Sequence, residues 1–254
     1  MDSFPKKCHY SYMKAKRATL NPKRRTIKFE FLSLFPEMIE PYFDLSILGR
    51  ARKSKLIDVK VHQLRDWAVD KHGHVDDRPF GGGPGMVMRV EPFYAALKAL
   101  HVQRTTYNVQ RSTKYVVRGT RIVLTSAKGK LFTQKDAQRL SKYDRVIFLC
   151  GRYEGVDERV ATKLADEELS IGQYVLTGGE LASMVMADAI ARNIPGVLGK
   201  QESLEQESWN TDQTEYPQYT RPEEFKKWKV PKVLLSGDHA KINKWREEQP
   251  KIKN

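Results

Sequence analysis

Cysteine is nearly absent from this chain, acids are fewer than bases, and no apolar run is long. The 254 residues hold two cysteines, Cys8 and Cys150. Two thiols make no disulfide framework. Cys150 closes an apolar run, where a free thiol packs as a small hydrophobe, so a reducing cytoplasm is the expected setting. Zinc is short of ligands: His72 and His74 in "KHGHVDD" form the close pair, with no third ligand type at metal spacing. No apolar stretch approaches the ~18 residues of a membrane helix, so no membrane partner is expected. The N-terminus lacks the apolar core of a secretory signal. There is no G-x-x-x-x-G-K-[ST] and no G-x-G-x-x-G opening a helix after a strand, which argues against a P-loop and an ordinary dinucleotide site.

What is present in excess is positive charge. Lys and Arg total 45 against 31 Asp and Glu, a net +14. Such a balance points to a polyanionic partner, nucleic acid first. The charge is also clustered. Residues 1–26 carry eight bases and one acid; this is a basic arm for RNA, an over-extended start, or, less well supported, a transit peptide. Residues 201–220, "QESLEQESWNTDQTEYPQYT", hold five acids and no Lys or Arg and read as a solvated, mobile linker. Residues 225–254 hold nine bases, three acids, Trp228 and Trp245, the composition of a small basic helical unit.

From Thr26 onward the pattern alternates strand and helix. Strands are predicted at 27–34, 57–62, 121–126, 145–150 and 173–177, and helices at 36–52, 91–101, 133–141, 156–165 and 179–192. Pro36 and Pro92 sit where first helical turns prefer them. The later strands are short continuous apolar runs, as in a parallel sheet covered on both faces. The class is α/β.

Two of these strands run into bare backbone. "RVIFLCGRYEGVDERV" (145–160) passes from an apolar run into Gly151 and Gly155, and "SIGQYVLTGGELASM" (170–184) places Gly172, Gly178 and Gly179 around another. Open parallel sheets bind ligands at the carboxyl ends of their strands, and glycine there lets backbone groups come close. The loops offer no lysine cradle for phosphates; an adenine with a sulfonium, held by backbone, suits them better. A third cluster, "DDRPFGGGPGM" (76–86), is a loop; Asp76, Asp77 and Arg78 beside it bind a substrate base or phosphate, or form a local salt-bridged turn.

Taken in order, "DDRPFGGGPGM", "CGRYEGVDER", "SIGQYVLTGGEL" and "IPGVLG" resemble the bacterial TrmD-type tRNA (guanine-N1)-methyltransferases over roughly residues 27–250. The resemblance implies a SPOUT-type parallel sheet with a C-terminal trefoil knot and a small helical C-terminal domain. The implied division is a basic extension at 1–26, a knotted methyltransferase domain at 27–200, a linker at 201–220 and a basic tRNA-binding domain at 221–254. It further implies a homodimer with composite active sites, tRNA as partner, and S-adenosyl-L-methionine as methyl donor. Whether Mg2+ takes part is not readable from the sequence. The reaction implied is methyl transfer to N1 of the guanine immediately 3′ of the anticodon, tRNA position 37.

By the same resemblance the cofactor cradle comprises Gly151, Tyr153, Glu154, Ile171, Gly172, Gln173, Tyr174, Val175, Leu176, Gly178 and Gly179. Ser126 and Ala127 in "TSAKGK" match the adenosine pocket only weakly, because a proline the family often carries in that loop is missing. Methylating guanine N1 needs a base to remove its proton and a cation to stabilise charge at O6. The family pattern puts the base at Glu207, where aspartate is usual, and the cation at Arg192. The structural alternative for Arg192 is an i, i+4 pair with Asp188. The chain also ends sooner than many relatives. Two rival readings are a methyltransferase of this class acting on another RNA, and an RNA-binding module that has lost catalysis.

Overall fold

The computed structural model describes residues 25–102, 119–198 and 216–249. The basic segment 1–24 and linker residues 199–215, with Glu207 and the mobility expected there, lie outside the described residues.

Five strands form one sheet in the order β2-β1-β6-β5-β7, and every neighbouring pair is parallel. The strands are β1 (Ile27–Ser33), β2 (Ile57–Gln63), β5 (Thr120–Leu131), β6 (Arg145–Cys150) and β7 (Glu167–Ser170). A short antiparallel pair, β3 (Asp76–Asp77) and β4 (Val87–Met88), carries the glycine loop between its arms. The apolar runs are continuous because both sheet faces are covered. On β6, Val146, Phe148 and Cys150 join one buried cluster, while Ile147 and Leu149 join the other, the two-residue alternation of a strand. The first cluster packs under α2 (Ser46–Lys53), α4 (Gln134–Leu140) and α5 (Gly179–Arg192); the second packs under α3 (Val90–Ala99).

Four predicted elements are corrected. Residues 173–177 form no strand: Tyr174 and Val175 are 55% and 85% exposed. The strand lies earlier, at β7, where two acids in "EELS" disguise it. It is an edge strand, and Glu167 is neutralised by Arg121 (2.6 Å) and Arg139 (2.6 Å). The predicted helix 36–52 is broken into a 3-10 turn (Pro36–Met38), a single turn α1 (Glu40–Phe43) and α2. Pro41, within the first turn of α1, has no N–H to continue a helix entering from before it, and Ser46 has φ 52°. The predicted helix 156–165 shrinks to a few residues around a π-turn, Val160–Leu164. β5 extends five residues beyond the expected end at 126, with a register shift against β7 between Thr125 and Lys130.

Midway along β1, Glu30 is 5% exposed. Arg145 grips it from β6 through Nε (3.0 Å) and Nη2 (2.5 Å), and His62 Nε2 lies 3.2 Å away. Burial alone would raise this carboxyl. The hydrogen bonds with His62 and Arg145 outweigh it and hold the pKa at about 2, against an ordinary 4.5. A depressed carboxylate stabilises the fold above its unfolded pKa and loses that contribution as pH falls toward the folded one. Arg145→Met is therefore expected to cost about 3 kcal/mol at neutral pH. It should also flatten the acid-induced loss of stability between about pH 4.5 and 2, read by denaturant melts across that range.

Beyond the linker, residues 216–249 form a two-stranded ribbon, β8 (Glu224–Phe225) and β9 (Trp228–Lys229), then α6 (Lys232–Leu235) and α7 (His239–Glu247). Asp238 caps α7 by accepting from the Lys241 amide. Arg246 lies over the Tyr216 ring at 4.6 Å.

Candidate cofactor site

The carboxyl ends of β5, β6 and β7 meet the first turn of α5, and the chain comes very close to itself there. The Gly179 amide donates to the Gly151 carbonyl at 2.8 Å. The Thr125 hydroxyl lies 3.1 Å from the Leu149 carbonyl and 3.3 Å from that of Gly179. A Cβ at Gly179 would sit 2.1 Å from Thr125 Oγ1 and 2.9 Å from the Gly151 nitrogen. Glycine at 179 is thus what lets the helix begin against the strand ends.

Beside this junction opens a cavity of about 410 Å³, within the range of small-molecule sites. Gly151, Tyr153, Glu154, Ile171, Tyr174, Val175, Leu176, Gly178 and Gly179 all line it. Ser126 and Ala127 line it too. Gly172 and Gln173 lie in the same loop but off the lining. The Tyr174 ring folds back over Gly172, with its hydroxyl 3.2 Å from the Ile171 carbonyl. Arg192 is half-buried at the other end of α5, thirteen residues and about 20 Å along the helix from Gly179. On the turn before it, Asp188 accepts a hydrogen bond from the Tyr42 hydroxyl, and that bond raises the Tyr42 pKa to about 12.

The "GGGPG" loop supports the cavity wall. The Glu154 amide donates to the Met86 carbonyl (3.0 Å), and the Met88 amide to the Gly155 carbonyl (2.9 Å). Gly85 has φ 77°, and a Cβ there would lie 2.4 Å from Glu154 Cγ, so conformation and space both require glycine. Tyr153 holds φ 60°, a left-handed backbone that non-glycine residues adopt at some cost.

The charged lining comprises Glu154, Glu158 and Glu168 with two cations: Arg152, and Lys128, which pairs with Glu158 at 2.5 Å. Glu168 Oε1 is buried without a hydrogen-bond partner among the described residues, 3.9 Å from Lys128 Nζ. The apolar part comes from Leu124, Val156, Ala161, Leu176 and Ala182. This arrangement suits a flat apolar group attached to a cation. Cys150 behind it is buried, which pushes its thiol pKa far up and leaves it no nucleophile.

Sequence reasoning missed Arg152. Its Nε pairs with Glu180 at 2.9 Å, its Nη1 donates to the Thr177 carbonyl at 3.2 Å, and its guanidinium stacks on Phe35 at 4.5 Å. The space over Gly178 holds this side chain: a Cβ there would lie 2.3 Å from Arg152 Nε. A signal existed. Glu180 is the one acid in the first turn of a helix that then runs apolar as far as Ala187 but for Ser183, and a buried carboxylate demands a cation. Thr125 and Glu168 carried no comparable signal.

The sequence model of the family described as tRNA (Guanine-1)-methyltransferase TrmD matches residues 27–254. A tRNA (guanine-N(1)-)-methyltransferase of Geobacter sp. (strain M21) is 48% identical over 223 residues, covering 88% of this chain and 84% of that protein. One from Staphylococcus haemolyticus (strain JCSC1435) is 48% identical over 227 residues, covering 89% and 87%. With the match spanning nearly the whole chain, and with its motifs gathered around one cavity at the strand ends, the chain belongs to the tRNA (guanine-1)-methyltransferase TrmD family.

Proposed function

We propose that this chain methylates N1 of a guanine in tRNA, the one immediately 3′ of the anticodon, with S-adenosylmethionine as donor. The observation that carries the reading is that nine of the eleven cradle residues line a single cavity. The cavity fits that donor: apolar walls for adenine and three carboxylates for a sulfonium, among them Glu168, whose buried Oε1 has no hydrogen-bond partner among the described residues. Bound there, S-adenosylmethionine supplies an electrophilic methyl group. The remaining work belongs to side chains. Glu207 takes the N1 proton, and Arg192 offers a planar fork to the O6 edge as charge builds there.

The same reading makes the enzyme a knotted SPOUT-type homodimer with composite sites. Arg192 stands a full helix away from the cradle of its own chain, which supports a site completed by a second copy. On α5, Leu181 (51%) and Val185 (44%) are exposed one turn apart. Asp188, on the same stripe, meets Tyr42, and Met38, Tyr42 and Leu45 are exposed nearby. An apolar surface of this kind favours burial against a partner. For tRNA, the C-terminal unit exposes Lys226, Lys227, Lys229, Lys232, Lys241 and Lys244, with Phe225 and Trp228 55% and 70% exposed between them. Cations interleaved with open rings suit a nucleic-acid backbone and unstacked bases. No helix among the described residues is long and apolar enough to cross a membrane.

The test is transfer of labelled methyl from S-adenosylmethionine to an unmodified tRNA and to the same tRNA with that guanine replaced. Methylation of the first alone is expected. Transfer to both would reassign the target, and cofactor binding without transfer would favour the RNA-binding module.

A further inference from the structure

We propose that Arg152 is a positioning residue for the cofactor loop: through the Thr177 carbonyl it sets the backbone of residues 173–178 in the conformation that admits the donor. The proposal rests on the cofactor reading above. The Arg152–Thr177 bond (3.2 Å) ties the middle of this segment, ahead of the start of α5, to the chain just past β6. The Tyr174 hydroxyl bond, to the Ile171 carbonyl, stays within the loop. The segment is otherwise exposed, yet Val175, Leu176, Thr177 and Gly178 all line the cavity. A loop with so few internal contacts takes its shape from its tether.

The tether is itself held firmly. Glu180 is 1% exposed. One of its oxygens accepts from the Ser33 hydroxyl at 2.7 Å and the other from Arg152 Nε. The guanidinium lies on Phe35, with Nη2 3.1 Å from Met38 Sδ. One side chain therefore joins the end of β1, the end of β6, the first turn of α5 and the cofactor loop. Only the planar fork of arginine reaches Glu180 and Thr177 together; lysine offers one point charge.

A purely structural Arg152 would serve only to neutralise Glu180, and two variants separate the roles. Arg152→Lys keeps the charge pair and loses the fork. Arg152→Met with Glu180→Gln removes both charges, so no ion is left buried alone. Both are expected to unfold within a few degrees of wild type. Both should bind S-adenosylhomocysteine about tenfold more weakly by calorimetry, the scale of one charge-assisted hydrogen bond. KM for S-adenosylmethionine should rise by a similar factor with kcat little changed. Without ligand, deuterium uptake by a peptide spanning 170–180 should be faster in Arg152→Lys. Wild-type affinity in either stable variant would overturn the proposal, and so would unchanged uptake. A wild-type chain that bound no S-adenosylmethionine would sink the cofactor reading instead, while the uptake comparison would still decide the tether.

Discussion

Glu207→Gln is expected to lower the single-turnover methyl-transfer rate by about 10²-fold or more, the scale of a lost general base, with S-adenosylmethionine affinity near wild type. Guanine N1 carries a proton and is a poor nucleophile until that proton leaves. Glutamine preserves the size and hydrogen bonding of glutamate but cannot accept the proton. Cofactor binding should be spared because the proposed cradle lies within residues 151–155 and 171–179, remote in sequence from 207. Glu207→Asp restores the carboxylate that family resemblance makes usual, and should stay within about tenfold of wild type, since a general base must still come within hydrogen-bond reach. Rapid-quench transfer with excess enzyme, paired with calorimetry, reads both quantities. A glutamine variant with a near-normal rate would remove Glu207 from the mechanism and reopen the choice of base.

Gly179→Ala is expected to destabilise the protein by about 3 kcal/mol, the upper range for overpacking, and to weaken cofactor binding more than tenfold. The added carbon would meet Thr125 Oγ1 at 2.1 Å, the Gly151 nitrogen at 2.9 Å and Cys150 Cα at 3.0 Å. Two of these are backbone atoms at the end of β6 and cannot turn aside. The first turn of α5 must move away, taking with it the Gly151–Gly179 hydrogen bond and one wall of the cavity. Removing the nearest obstacle with Thr125→Ala should recover only part of the loss, because the backbone contacts remain. Gly178→Ala makes the contrast. Its carbon meets the Arg152 side chain rather than backbone, so the strand ends and the first turn of α5 stay in place and stability should fall less, while the Arg152–Glu180 pair is disturbed. Thermal melts of the three variants, with S-adenosylhomocysteine titrations, check the order. A Gly179→Ala protein with unchanged melting would refute the close-approach role.

Continuous apolar runs such as Val146–Leu149 and Val123–Leu124 announced buried parallel strands, because a strand covered on both faces has no polar side to show. The glycine-flanked ends of those runs marked where a ligand could approach, and the cavity lies there. Misreadings came where long-range partners replace local pattern. "EELS" looks too polar for a strand, but Arg121 and Arg139, 46 and 28 residues away from Glu167, neutralise its first acid. "QYVL" looks like a strand, but it pairs with none of the described strands and its side chains stand exposed on the rim.

Sequence alone established the α/β class and the family, and it marked the glycine-flanked segments that line the cavity. These depend on periodicity and on motifs contiguous in the chain. Only the tertiary structure decided what each glycine makes room for, that Arg152 joins four elements, and that Arg192 stands about 20 Å along α5 from Gly179. Such facts arise from close approach between residues far apart in sequence, as with Ser33 and Glu180, 147 positions apart and 2.7 Å from each other. No local pattern encodes a distance of that kind; packing of the sheet against α5 fixes it.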